Sequence, residues 1–194
     1  MDIPSFARIS DPQISTRGAK YALVENNKLH GDGKIRIIIG NKENDGGTTS
    51  PFGISTYNND DATRKNIEFI ITADEEAKIT QMYDWAINQL AAKSDKYFKK
   101  LLTKDEIIDS FKHPIIRKGN YPPIFKCKVD TAGKNAVRCW DADGKRCELP
   151  SDLRKYKSSA KVTFNHVCFM ARDSSTRLLM LTLGRAKLQM IRCC

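Results

Sequence analysis

Residues 66–90 read NIEFIITADEEAKITQMYDWAINQL, and this stretch sets the frame of the fold. NIEFIIT (66–72) reads as a strand. A helix follows without a linker. Thr72 can cap it, with Glu75 three residues on, the pattern of a capping box. Asp74, Glu75 and Glu76 crowd the first turn, where negative charge meets the positive end of the helix dipole. Ile79, Met82, Tyr83, Ala86, Ile87 and Leu90 then recur at steps of three and four and make one apolar face. The pattern predicts a helix running to about Lys93.

On the N-terminal side the pattern is β. Residues 1–33 are weakly patterned and predict an arm with one short strand, KYALVE. KIRIIIG (34–40) is a strand ending on a glycine, NKENDGGTTSP (41–51) a loop of turn formers, and FGISTY (52–57) a second strand candidate. On the C-terminal side a second capping box, Thr103 with Glu106, opens a short helix through Ile107, Ile108 and Phe111, which Pro114 stops. Strands and turns follow: IFKCKVD (124–130), AVRCWD (136–141), a turn at Asp143–Gly144, a basic loop SDLRKYKSSA (151–160), KVTFNHVCFMAR (161–172), RLLMLTL (177–183) and RAKLQMIR (185–192).

Many short strands around one amphipathic helix predict a mainly β (α+β) chain. The expected form is an OB-type five-stranded barrel with extra strands, its helix capping the barrel between strands three and four. A β-sandwich with a helical insertion is the alternative. The expected organisation is an arm over 1–33 and a single domain over 34–192, with its helical segment at about 73–112.

The charge is unevenly placed. From Phe111 on, 18 Lys and Arg stand against 6 Asp and Glu, whereas the first 110 residues hold 15 against 17. The whole excess of +10 therefore lies in the C-terminal part, which points to a polyanion, nucleic acid before membrane. The bland reading of the same charge is solubility. No apolar run approaches the roughly 20 residues of a membrane span. The six cysteines form no CxxC pair and there are three histidines, so neither a zinc site nor another cofactor is expected. The start MDIPSFARIS does not read as a signal peptide, which favours reduced thiols and an intracellular setting. No GxSxG, HExxH, Walker loop or GxGxxG occurs, so no enzymatic activity is expected.

Binding of single strands needs cations for phosphates and aromatic faces for bases. Residues 111–130, FKHPIIRKGNYPPIFKCKVD, stiffen a basic segment with prolines and lead into a strand alternating Phe125, Cys127, Val129 with Lys126 and Lys128. The candidate binding residues are Arg117, Lys118, Tyr121, Lys126, Lys128, Arg138, Trp140, Lys145, Arg146, Arg154, Lys155 and Tyr156. Lys157 belongs to the same basic run. Each has a plain counterpart: lysines on an edge strand discourage aberrant pairing, Tyr121 can pack a loop, and Trp140 can be core.

The segment from Phe111 through YPPIFKCKVD resembles a signature of the single-stranded DNA-binding proteins of large nucleocytoplasmic DNA viruses. That family is similar in fold to the single-strand-binding protein of a short-tailed phage. KIRIIIG, SPFGIS, NIEFII, YFKKLLTKDEIIDSF and the closing strands match in the same order, over roughly Lys34 to Ile191. The resemblance implies an OB-fold protein that coats single-stranded DNA in viral replication, recombination or repair, without catalysis. It implies single-stranded DNA and replication proteins as partners, leaves self-association open, and puts the site of action in the host cytoplasm or nucleus. It sets Phe169 at the place of a family aromatic. Two readings stand beside it: a basic virion protein that packages duplex DNA, and an RNA-binding or transcription cofactor.

Overall fold

The structure, a computed structural model, describes residues 7–16, 18–26, 34–40, 46–55, 64–133, 136–171 and 177–191. Among them are fourteen strands, three α-helices and one turn of 3-10 helix. The fold is mainly β, and antiparallel pairings prevail. The chain divides into two compact units. Met1–Ile35, Lys78–His113 and Phe164–Thr182 form the first; Arg36–Ala77, Pro114–Thr163 and Leu183–Cys194 form the second.

In the first unit β3 (Lys20–Glu25) is the KYALVE run. It pairs antiparallel with β1 (Arg8–Ile9), with β2 (Gln13–Ile14), and with His166–Phe169 of β13 (Lys157–Ala171). Residues 8–25 thus hold three strands where the sequence pattern marks one. Two-residue strands are too short to display a period. From Lys78 on, helix α1 (Ala73–Ala91) belongs to this unit and buries Ile79, Met82, Tyr83, Ala86, Ile87 and Leu90, the face its spacing predicts; its first turn belongs to the second unit. Two short helices follow, α2 (Ser94–Phe98) and α3 (Lys104–Ser110). α3 carries its capping box: Glu106 N–H donates to Thr103 Oγ1 at 3.2 Å and Thr103 N–H to Glu106 Oε2 at 2.7 Å. The chain then becomes β8 (Phe111–Lys112), parallel to β14 (Arg177–Ile191). Tyr97 fastens this unit: its hydroxyl donates to the carbonyls of Ile9 and Ser10, each at 3.1 Å.

The second unit contains a four-stranded antiparallel sheet ordered β6 (Ile54–Ser55), β7 (Arg64–Ile70), β10 (Ile124–Asp130), β9 (Ile115–Ile116). Phe125, Cys127 and Val129 of β10 are buried with Ile67 and Phe69 of β7, so the alternation read from IFKCKVD sets the sheet's inner face. The start of β13 pairs with β4 (Ile35–Ile39) and β5 (Thr48–Thr49). The hairpin of β11 (Arg138–Trp140) and β12 (Arg146–Cys147) joins β14 through a parallel β11 ladder.

Several boundaries differ from the pattern. Thr48–Thr49, in the run 41–51 read as a loop, is β5, and β7 begins at Arg64 rather than Asn66. β11 is shorter than 136–141, and Phe111, read as part of the short helix, begins β8. Partner strands far along the chain set the pairing of these residues. KSSA, read as the end of a basic loop, is the start of β13; Ser158, Ala160 and Val162 are its buried face, and small polar residues hide such a period. RLLMLTL and RAKLQMIR are one strand, β14, because Gly184 is tolerated where neighbouring strands supply the ladder. Phe52, read as the first residue of a strand, stands on a turn ahead of β6. The rest of that candidate, Thr56 and Tyr57, lies outside the described residues, as do Cys193 and Cys194.

Gly40 is the tightest point of the second unit. Its φ is +66°, and a Cβ there would lie 2.5 Å from both the Ser158 carbonyl oxygen and the Thr48 nitrogen. Gly53 has a similar φ of +62°, yet its Cβ would meet only Arg154 Cγ at 3.6 Å. Urea melts should therefore separate the two. Gly53→Ala should cost about 1–2 kcal/mol, from the left-handed backbone alone. Gly40→Ala adds overpacking and should cost roughly 2–5 kcal/mol.

Candidate nucleic-acid interface

All twelve candidate residues belong to the second unit. They fall into three groups with different surroundings.

The first group stands on and before β10. Lys126 N–H donates to the Pro114 carbonyl at 2.9 Å, and Ile115 and Ile116 pair with Phe125 and Ile124. The proline-stiffened segment is therefore the outer strand of a hairpin and its turn. Tyr121 N–H closes that turn on the Lys118 carbonyl at 3.1 Å. Tyr121 is 78% exposed, so it does not pack the loop against the sheet. Lys118 is exposed as well. Arg117 is held: its Nε and Nη2 donate to Glu76 Oε1 at 3.1 and 2.5 Å. On the polar face of β10, Lys126 lies opposite Glu68 and pairs with it at 2.9 Å, while Lys128 is exposed opposite Asn66.

The second group is the β11–β12 hairpin. Cys139 lies opposite Cys147, and Trp140 opposite Arg146. Alternation puts Arg138, Trp140 and Arg146 on one face and the two cysteines on the other. The burial agrees: Arg138 and Arg146 are exposed, Trp140 is half-buried and Cys139 is buried. Asp141 builds the turn, its Oδ1 accepting from Asp143 N–H at 3.0 Å and Lys145 N–H at 2.8 Å. That leaves Lys145 exposed at the tip. Arg138 and Arg146 also line a concavity of about 380 Å³ whose other walls include Thr131, Val137, Leu149 and the carboxylate of Glu148.

The third group surrounds the 3-10 turn Leu153–Lys155. Arg154 makes a two-pronged pair with Asp152, Nε to Oδ1 at 2.7 Å and Nη2 to Oδ2 at 3.1 Å. The hydrogen-bonded guanidinium holds the Asp152 carboxyl below its ordinary value of 3.8, so the pair persists at neutral pH. Lys155 is exposed, 3.9 Å from the same carboxylate. Tyr156 is half-buried and lines a different concavity, of about 360 Å³, whose other walls include Asp141, Asp143 and Glu148. Three carboxylates there oppose a phosphate beside Tyr156, whereas of these the concavity of the arginine pair shares only Glu148.

Phe169 does not take a surface role. It is 7% exposed, in the first unit, stacked on Tyr97 at 6.0 Å and edge-on to Phe98 at 5.6 Å. The acids at the start of α1 are also engaged inside the fold. Glu75 is buried and caps the helix, and Glu76 holds Arg117. Among the described residues no group of three His, Cys, Asp or Glu side chains could hold a metal ion. Sequence reasoning passed over one exposed aromatic of this unit. Phe52 is 60% exposed, and its place in a strand-like run concealed it.

No family model and no curated protein sequence matches the chain. Among solved structures it is similar to gp2.5, a single-stranded DNA binding protein encoded by bacteriophage T7. The TM-score is 0.50 at 12% identity, over 84% of this chain and 88% of that one. The likeness is one of fold.

The buried thiols give a direct check of this geometry. Burial pushes the Cys127 thiol up to about 12. Burial, with Cys147 beside it, pushes Cys139 up to about 11. Both stay protonated at pH 8, and the thiolate is the nucleophile. Iodoacetamide at pH 8, followed by peptide mapping, should leave Cys127 and Cys139 unmodified in the folded protein and alkylate both in urea.

Proposed function

We propose that the protein binds single-stranded DNA without regard to sequence and coats it during viral DNA replication, recombination or repair. The observation that carries this reading is the hairpin face on which exposed Arg138 and Arg146 flank the half-buried Trp140. Two guanidinium groups can take consecutive phosphates while the indole offers a face to the base between them. Tyr121, Lys118, Lys126 and Lys128 extend the cationic and aromatic surface along the β9–β10 hairpin. The fold likeness to a phage single-stranded DNA binding protein supports the same reading.

In this proposal the strands close into an OB-type barrel capped by α1, and the protein carries out no catalysis. Two carboxylates of this region have structural work: Asp141 holds the turn and Asp152 holds Arg154. Replication proteins of the same virus are the protein partners, self-association accompanies coating, and the site of action is inside the infected cell, in cytoplasm or nucleus.

Fluorescence anisotropy on a labelled oligo-dT tests the binding, with unlabelled duplex and RNA of equal length as competitors at several salt concentrations. We expect duplex and RNA to compete poorly and affinity to fall as salt rises. Each phosphate contact contributes a slope of about −0.7. The double variant Arg138→Ala/Arg146→Ala should weaken binding and flatten the slope by roughly 1.4, two contacts' worth. Equal competition by duplex would replace coating with DNA packaging. Equal competition by RNA would replace it with an RNA-binding role.

A further inference from the structure

The turn Ser50–Gly53 presents a phenylalanine to solvent and holds it there. Gly53 N–H donates to the Ser50 carbonyl at 3.1 Å, closing a four-residue turn. Ser50 is buried, and its Oγ donates to the Gly53 carbonyl at 3.2 Å. Pro51 fixes one backbone angle, and Gly53 supplies the positive φ that ends the turn. Between them Phe52 is 60% exposed. The two hydrogen bonds hold the backbone that carries the ring, so the Phe52 Cα and its side-chain direction are set at the surface. A phenyl ring has no polar handle, so its exposure gains nothing from water.

What stands beside the turn is cationic. The Arg154 stem lies against Gly53, close enough that a Cβ there would be 3.6 Å from its Cγ. Asp152 clamps the Arg154 guanidinium from the other side. Lys155, with 77% of its side chain exposed, and Lys157 follow on the same segment. An isolated exposed apolar residue is ordinary on a protein surface. An exposed ring on a closed turn, beside fixed and exposed cations, matches a ligand that is apolar on its face and anionic along its edge.

We propose that Phe52 is a base-stacking subsite: an unpaired nucleobase lies on its ring while Lys155 takes the adjoining phosphate. This rests on the reading of the protein as a single-strand binder and adds to it a contact on a separate turn from the Arg138–Trp140–Arg146 face. Stacking on a phenyl ring distinguishes no base from another, as sequence-independent binding requires.

The test uses the full chain and two labelled probes of equal length, oligo-dT and an abasic phosphodiester strand. Phe52→Ala should lower affinity for oligo-dT by roughly 5- to 150-fold, the range for one stacked base. It should leave affinity for the abasic strand and the salt slope unchanged. Phe52→Tyr, which keeps the ring, should bind oligo-dT like the wild type. Thermal melts should show all three proteins equally folded. If the wild type prefers oligo-dT over the abasic strand and Phe52→Ala preserves that preference, stacking lies elsewhere and this subsite is overturned while single-strand binding stands. An equal loss on both probes also overturns it, since a stacking contact acts only through the base. If the wild type binds neither probe, the single-strand reading itself falls.

Discussion

The second unit is organised around one buried carboxylate. Glu75 is 4% exposed, and its two oxygens accept from different backbone groups: Oε1 from Gly40 N–H at 2.5 Å, Oε2 from Thr72 N–H at 2.9 Å. The second bond belongs to the capping box that starts α1; the first joins that helix start to the end of β4. Gly40 in turn has no room for a side chain, because Ser158 of β13 and Thr48 of β5 lie against its Cα. Four elements meet at one point, and each depends on the others. A buried donor left without its acceptor costs about 1–3 kcal/mol, so this carboxylate controls more of the architecture than its small size suggests. Next to it, Glu76 reaches Arg117 on the β9–β10 hairpin. The end of α1 that organises the unit's interior thus also orients one of its surface cations.

The cations of this unit are of two physical kinds. Arg117, Lys126 and Arg154 are each held by a carboxylate, Glu76, Glu68 and Asp152 respectively. Arg138 and Arg146 have no carboxylate partner among the described residues. Pairing at an exposed site stabilises by about 0–1 kcal/mol, so a phosphate can displace a surface carboxylate at little cost. Its larger effect is on entropy, since a held side chain has already lost rotamer freedom. Held cations give a surface its shape, and unpaired ones give it attraction at a distance. Sequence-independent binding, as proposed above, would use both.

The sequence was most legible where one local rule governed an element. The two capping boxes, the apolar face of α1, the KYALVE strand and the alternation of β10 follow from short-range chemistry, and each appears where the pattern places it. Reading failed where distant residues decide. Ser158 looks like loop chemistry until Gly40 and Thr48 are set against it. Gly184 looks like a break, yet β14 runs through it within the sheet. Phe169 stands at the place of a family aromatic by resemblance, but Tyr97 and Phe98 enclose it. Within the candidate site, residue type identified the cations but not their partners. Arg117 and Glu76 are 41 residues apart, and no spacing rule connects them.

The aromatics of the second unit show why exposure must be weighed together with rigidity. Tyr156 has the right chemistry for stacking, yet it lines a concavity shared with Asp141, Asp143 and Glu148, where an approaching phosphate meets like charge. Trp140 lies between two arginines on a strand whose register fixes it. Tyr121 and Phe52 stand on turns, each closed by a backbone hydrogen bond. A backbone already closed into a turn loses little further freedom when a planar ligand covers its side chain, so less of the stacking energy is spent on ordering it. Charge alone selects for polyanions of every kind, because duplex and single strand both carry phosphates. Only a strand with unpaired bases can use the rings, so under the proposed function a preference for single strands would reside in the aromatics that the turns and the hairpin carry.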